Sequence, residues 1–221
     1  MICFVIALKK ESEELLKTAT DIKEFLLADK PCYSCKLNGI NVVIAISGIG
    51  KVSAALTTQL LIDKYNPKFI FNFGTCGGMN DSVKILDYYL VEKCCQYDFD
   101  VSAIDDVPIG YIQEYNKVYF DAYVNGLNFL EKRNIASSDK FTHKYEDVKT
   151  INDMNCSICD MEAGAIAQVC TSNNVPFIAI KGISDVYGNG TQPEQFLENL
   201  KKVGKGFPNV ILKTLDIISN L

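Results

Sequence analysis

The sequence is poor in the residues on which several kinds of chemistry depend. Its 221 residues include one histidine, His143, one arginine, Arg133, and no tryptophan. A single histidine excludes a metal centre built on several imidazoles. A single arginine excludes a phosphate clamp built from several guanidinium groups. No run of 18 or more apolar residues occurs, so no segment reads as a membrane-spanning helix. Cations are not in excess either. Twenty-two Lys plus Arg stand against 27 Asp plus Glu, a net charge of −5, which argues against nucleic acid or an anionic membrane as a partner. The apolar start, residues 1–8, is too short for a secretory signal with its basic flank and cleavage site. Repeats, low-complexity stretches and linkers are lacking too.

What is present suits a globular protein. Hydrophobic residues make up 48% and charged residues 22%, enough for one core in a single domain over residues 1–221. Nine cysteines are an odd number, so at least one thiol is unpaired. Cys3, Cys76, Cys94, Cys95 and Cys170 lie in apolar or helical runs, where a thiol acts as a small hydrophobe. This reads as a reduced, cytoplasmic protein. Cys32/Cys35 and Cys156/Cys159 have the spacing of zinc or redox pairs. Each pair falls in a predicted strand, where positions i and i+3 face opposite ways, which favours packing.

The hydrophobic pattern predicts alternating strands and helices. A strand at 2–8 precedes a helix at 11–27. Strands at 32–37 and 40–46 flank Asn38-Gly39, a strong hairpin signal. A turn at 47–50 leads into a helix at 51–65, and a strand at 68–73 ends in a glycine-rich loop at 74–78. A strand at 85–95, an irregular segment at 96–118 and a helix at 119–132 follow. Next come a short strand at 135–138, a helix at 144–150, and a strand at 156–160 running into a helix at 161–173. A strand at 175–183 and a long helix from 193 close the chain. The fold class is α/β, with a twisted, mixed and largely parallel central sheet flanked by helices. Ligand groups should then lie past the strand carboxyl ends. Five loops there are candidates: Lys9-Lys10-Glu11, Ser47-Gly48-Ile49-Gly50, 74–78, Asp160-Met161-Glu162 and Ser184-Asp185.

Each candidate carries a plainer reading. Asp185 after a buried strand is either a helix N-cap or a site carboxylate. Asp160 and Glu162 suit the positive end of a helix dipole, and Glu11 suits a first helical turn. Gly74, Gly77 and Gly78 either turn the chain or admit a ligand close to the backbone. No Lys-Ser or Lys-Thr pair follows them, so this is not a Walker A loop. Gly48-Ile49-Gly50-Lys51-Val52-Ser53 lacks the third glycine of the dinucleotide fingerprint.

Taken in order, five motifs are specific: Ser47-Gly48-Ile49-Gly50-Lys51-Val52-Ser53-Ala54-Ala55, Asn72-Phe73-Gly74-Thr75-Cys76-Gly77-Gly78, Ser138-Asp139-Lys140-Phe141, Asp160-Met161-Glu162-Ala163 and Ile183-Ser184-Asp185-Val186. Together they resemble the purine nucleoside phosphorylase and nucleosidase superfamily. More closely, they are similar to the 5′-methylthioadenosine/S-adenosylhomocysteine nucleosidases. The resemblance spans residues 1 to about 186 and is weakest at 105–132 and beyond 187.

The resemblance implies a small adenine nucleoside as substrate, no cofactor and no metal. Asp185 would protonate N7 of the leaving purine, and Glu11 would activate the attacking water. Glu162 would bind the ribose hydroxyls and stabilise an oxocarbenium-like transition state, with Met161 packed on the sugar. Phe141 would stack on the base and the backbone of Thr142 would read its edge. Thr75 and Gly77 would line the ribose and water region, Ser184 would support Asp185, and Leu8 and Ile49 would line the 5′ pocket. Phosphorylases of this superfamily carry an arginine just before the glycine loop. Here that position is Asn72, and Arg133 falls in or just after a predicted helix remote from every motif. The resemblance therefore implies hydrolysis. Phosphorolysis, hydrolysis of another nucleoside such as 5′-deoxyadenosine or a futalosine-type compound, and a non-catalytic nucleoside binder are the alternatives.

Two departures concern the 5′ group. Thr191-Gln192-Pro193 stands where the family places an aromatic residue near the start of the last helix, and the 187–192 loop is short. Ile104 stands where a partner subunit often supplies an aromatic ring. The resemblance also implies a homodimer, with apolar residues around 99–109 at its interface.

Overall fold

The computed structural model describes residues 1–219. The elements run β1 (Ile2–Ile6), α1 (Lys9–Leu16), β2 (Thr20–Leu27), β3 (Lys30–Leu37), β4 (Ile40–Ile46), α2 (Lys51–Tyr65) and β5 (Phe69–Gly78). The second half adds β6 (Tyr88–Gln96), a 3₁₀ turn (Gln113–Tyr115), β7 (Phe120–Asp121), β8 (Glu131–Ser137), α3 (Tyr145–Asp153), β9 (Ile158–Asp160), α4 (Ala163–Ser172), β10 (Phe177–Val186) and α5 (Gln192–Ser219).

The apolar run of β1 is buried at every position, because helices cover both sides of the sheet. Its alternate residues go to two cores. Cys3 and Val5 join Ala54 and Leu61 of α2 and Ile166 of α4 on one side. Phe4 and Ile6 join Leu15 of α1 and Phe207 and Ile211 of α5 on the other. β1 lies between β4 and β5, parallel to both. β5 is parallel to β10, and β6 runs antiparallel beside β10. β8 and β9 extend this side in parallel. β2 and β3 add antiparallel strands outside β4. The sheet is thus mixed, with parallel strands at its centre.

Several boundaries differ from the sequence expectation. The predicted helix at 11–27 ends at Leu16, and 20–27 form β2. Two patterns meet there. Leu15 and Leu16 close a helical face, whereas Phe25 and Leu27 alternate at the period of a strand and pack against the core. The turn joining β2 to β3 holds Ala28 at φ 54°, a left-handed position that carries no sequence signal because asparagine or glycine usually fills it. By contrast, Asn38-Gly39 forms the expected hairpin between β3 and β4. The predicted helix at 119–132 is instead β7, an irregular segment with turns and the start of β8. Arg133 accordingly lies in β8. The glycine segment 74–78 is the end of β5 rather than a loop, Glu11 lies inside α1, and Ser184-Asp185 lies inside β10.

All nine cysteines are free and buried. Cys32 and Cys35 face the two different cores, as their strand spacing requires. Cys156 precedes β9 and shares one cluster with Cys159, so this pair does not point to opposite sides. Among the described residues, no helix is long and apolar enough to cross a membrane.

Candidate active site

The carboxyl ends of β1, β5, β9 and β10 converge with the turns after β4 and β8. Glu11 enters from the first turn of α1 and is 3% exposed. Its Oε2 accepts the Leu8 N–H at 3.1 Å, so it does cap its own helix. Its Oε1 reaches across to β5 and accepts the Thr75 N–H at 2.7 Å and the Thr75 hydroxyl at 2.8 Å. A Cβ at Gly74 would lie 2.9 Å from that oxygen, so a side chain here would push the Glu11 carboxylate aside. Burial pushes the Glu11 pKa above the usual carboxylate range, against the Thr75 and Leu8 donors and the charge of Lys181.

Asp160 and Glu162 divide the work at the start of α4. Asp160 Oδ2 accepts the Ala163 N–H at 2.9 Å and so provides the cap that composition suggested for either residue. Its Oδ1 accepts from Ser137 Oγ at 2.5 Å. Glu162 makes no cap contact. Its Oε1 accepts the Gly50 N–H at 2.9 Å, tying α4 to the turn after β4. Burial, reinforced by the nearby Asp160 charge, raises the Glu162 pKa to about 7, with Lys181 and the Gly50 N–H acting the other way.

Lys181 lies in the apolar run of β10 and is 1% exposed. Its Nζ sits 2.8 Å from Asp160 Oδ2. Burial works against its charge, but Asp160 and Glu162 outweigh burial and hold its pKa above the ordinary lysine value. It also lowers the proton affinity of Glu11. One buried cation therefore serves three carboxyl groups. Lys181 was not singled out by sequence reasoning. Its signal was a lone lysine inside Phe177-Ile178-Ala179-Ile180-Lys181-Gly182-Ile183, since a charge buried in a strand needs a partner.

Asp185 is the penultimate residue of β10, after a register shift against β5. It is a strand residue and caps no helix. It is 2% exposed. Ser184 Oγ donates to its Oδ1 at 2.6 Å and Gln192 Nε2 to its Oδ2 at 2.9 Å. Burial raises its pKa, and these two donors oppose the rise. A Cβ at Gly77 would lie 3.1 Å from Asp185 Oδ2.

These groups surround one cavity of about 330 Å³, within the usual range for a small-molecule site. Glu11, Glu162 and Asp185 all line it, as do Thr75, Gly77 and Ser184. Leu8, Ile49 and Met161 supply apolar wall, and Phe141 and Thr142 close the side nearest α3. The structure thus brings every candidate residue to the same space. The 138–142 segment is held by Ser138 Oγ, which donates to the Tyr97 hydroxyl at 2.8 Å, and by a 2.5 Å contact between that hydroxyl and Thr142 Oγ1. Phe141 meets Phe196 edge to face at 5.8 Å.

Phe196 corrects an expectation. Thr191-Gln192-Pro193 lack an aromatic ring, yet Phe196, one turn further along α5, lines the cavity. Only the helix register reveals this. Arg133 stays away from the cavity: it pairs with Glu131 at 2.7 Å, donates to the Ser82 carbonyl and covers the Tyr89 ring. Lys140 on the cavity wall pairs with Asp147 at 2.5 Å. Asn72 is buried in β5 and donates to the Val5 carbonyl at 2.8 Å.

Comparison with known proteins shows what the chain as a whole resembles. The family model described as Phosphorylase superfamily matches residues 1–216. A 5′-methylthioadenosine/S-adenosylhomocysteine nucleosidase of Staphylococcus haemolyticus is 31% identical over 229 residues, covering 99% of this chain and 100% of its own length. The enzyme of that name from Buchnera aphidicola is 32% identical, over 95% of this chain and 96% of its own. The crystal structure of a 5′-methylthioadenosine/S-adenosylhomocysteine nucleosidase from Colwellia psychrerythraea in complex with adenine superposes with a TM-score of 0.87. It is 29% identical, with 97% of this chain and 94% of that chain covered. A futalosine hydrolase of Helicobacter pylori, 24% identical over 100% of this chain and 97% of its own, shares the fold at a TM-score of 0.88.

Proposed function

The chain belongs to the phosphorylase superfamily and, within it, to the 5′-methylthioadenosine/S-adenosylhomocysteine nucleosidases, and we propose that it hydrolyses the N-glycosidic bond of these two nucleosides. The products are adenine and the corresponding 5′-thio-substituted ribose. The observation that carries this reading is the charge inventory of the cavity. Glu11, Glu162 and Asp185 line it, while Lys140 and Lys181 are each engaged by an aspartate and Arg133 lies elsewhere. Such a site has no free guanidinium to clamp phosphate, and it supplies the carboxyl groups that a hydrolytic route needs.

The geometry supports the following steps. Asp185, kept protonated to higher pH by burial, donates to N7 as the glycosidic bond lengthens, so that adenine leaves without a full negative charge. Positive charge develops on the ribose, and Glu162 holds the hydroxyls and offsets that charge. Glu11 removes a proton from the water that attacks C1′. Its raised proton affinity makes it a stronger base than an exposed glutamate. Thr75 fixes the direction of the Glu11 carboxylate. Phe141 stacks on the base, and Phe196 joins Leu8 and Ile49 around the 5′-alkylthio group.

The protein works as a homodimer in the cytoplasm. Val52 and Leu56 stand one turn apart on α2 and are 80% and 48% exposed, and Ile104 is 82% exposed. The Lys51–Asp98 pair at 2.6 Å holds the segment carrying Phe99 beside that helix. Burial of this patch against a second copy accounts for its apolar character, and sedimentation of a monomer at micromolar concentration would contradict it. Nine unpaired thiols suit a reducing compartment.

A substrate panel tests the activity. Release of the purine base should be fast from 5′-methylthioadenosine and S-adenosylhomocysteine and slow from inosine, whose base is hypoxanthine. Turnover of 5′-deoxyadenosine or a futalosine-type nucleoside alone would overturn the substrate assignment.

A further inference from the structure

Gln192 is a buried amide that the reaction outlined above does not use. It is the first residue of α5 and is 4% exposed. Its Nε2 donates to Asp185 Oδ2, while Oδ1 accepts from Ser184 Oγ. Both oxygens of the group read as the leaving-group acid are therefore held as acceptors. That arrangement suits the carboxylate, not the carboxylic acid. For Oδ2 to carry a proton toward a base, the Gln192 contact must break or reverse. An amide can reverse it, because rotation about its last torsion presents Oε1 in place of Nε2.

The amide is anchored rather than loose. Three residues 192, 195 and 199, on one side of α5, grip the strand end that carries the acid. Gln195 Oε1 accepts the Val186 N–H at 3.1 Å, and Asn199 Nδ2 donates to the Ser184 carbonyl at 2.9 Å. The titratable groups near Asp185 are thiols, Cys76 on β5 and Cys159 on β9, and burial raises the pKa of both. α5 presents the uncharged Gln192 and Asn199 there.

We propose that Gln192 is a positioning residue for Asp185, holding its carboxyl in place and setting the pH above which it can no longer deliver a proton. The inference rests on the nucleosidase reading. Donation from Gln192 stabilises the charged form of Asp185 and so opposes the effect of burial. Without that donor Asp185 keeps its proton to higher pH. An acid acts in its protonated form, so the alkaline limb of kcat/KM must move upward.

The test is the pH profile of kcat/KM for adenine release from 5′-methylthioadenosine, which reports groups of the free enzyme. Gln192→Met keeps the length and suits a buried place. It should move the alkaline limb up by about one pH unit, the scale of one lost charge-stabilising hydrogen bond. Gln192→Glu sets a second carboxyl against Asp185, and the pair then shares a proton. It should move the limb further in the same direction. A thermal melt shows whether each variant is folded, and either folded variant suffices. An alkaline limb at the unsubstituted position, with activity either kept or uniformly reduced, would overturn the inference alone. No adenine release by the unsubstituted protein would overturn the nucleosidase reading and this inference with it.

Discussion

Glu11 and Asp185 each reach the cavity over a glycine of the same strand. Glu11 Oε1 sits 2.9 Å from where a Cβ of Gly74 would be, and Asp185 Oδ2 sits 3.1 Å from where one of Gly77 would be. Two residues of β5, Thr75 and Cys76, lie between the two glycines, which are about 10 Å apart along the strand. The glycine-rich end of β5 therefore sets the positions of both carboxyl groups.

Gly74→Ala tests that relationship. The added methyl displaces the Glu11 carboxylate and its two Thr75 contacts while leaving the residue types of the site intact. A misplacement of about 1 Å costs on the order of 100-fold in rate. The expected result is a fall of that size in kcat with a near-normal melting temperature. Unchanged kcat would show that the carboxylate does not need this space.

Asp185→Asn removes the proton that the leaving purine receives and keeps the shape; its oxygen still accepts from one of Ser184 and Gln192, and the other must turn to accept from the new NH2 group. Loss of a general acid lowers the rate by about 100- to 10,000-fold. Binding of 5′-methylthioadenosine, measured by calorimetry, should be largely kept. Turnover near the unsubstituted rate would refute the acid role.

Burial raises the Glu162 pKa to about 7, and its proposed work requires the ionised form. As pH rises through about 7, kcat/KM should therefore rise with the Glu162 charge. Glu162→Gln should lower kcat and kcat/KM together and abolish that acidic limb. Stability moves the other way. The folded-state pKa lies above the unfolded value, so the native form holds more protons and loses stability as pH rises from about 4.5 toward 7. The Gln variant should melt higher than the unsubstituted protein at pH 8, with a smaller gain at pH 5. A lower melting temperature at pH 8 would contradict the account.

Much of this was legible in the sequence. The apolar runs of β1 and β10 and the Asn38-Gly39 turn announce themselves through composition. Most of the residues lining the cavity fall in the five ordered motifs, with Leu8, Glu11 and Phe196 among those outside them. The errors share a cause, which is that tertiary context overrides local pattern. Residues 20–27 read as helix because their apolar positions continue those of α1, and the turn at Ala28 gives no signal. Residues 119–132 carry enough apolar positions for a helix but are laid out as β7, an irregular segment with turns and the start of β8. Lys181, Gln192 and Phe196 were missed for a different reason. Each matters through a partner distant in sequence or through the register of α5, and neither is visible to spacing.

Lys181→Met should expose how much the buried pair contributes. The Lys181 and Asp160 side chains are 2% and 1% exposed. Removing the cation leaves Asp160 buried without its partner, which costs about 3–5 kcal/mol. Chemical denaturation should show a loss of that size. A loss below about 1 kcal/mol would mean that water already reaches Asp160.

The central claim is that water, not phosphate, takes the ribose. The most direct test is adenine release from 5′-methylthioadenosine in rigorously phosphate-free buffer, with the sugar product identified. Undiminished release yielding free 5-methylthioribose is the predicted result. Release that requires added phosphate and yields the sugar 1-phosphate would contradict it.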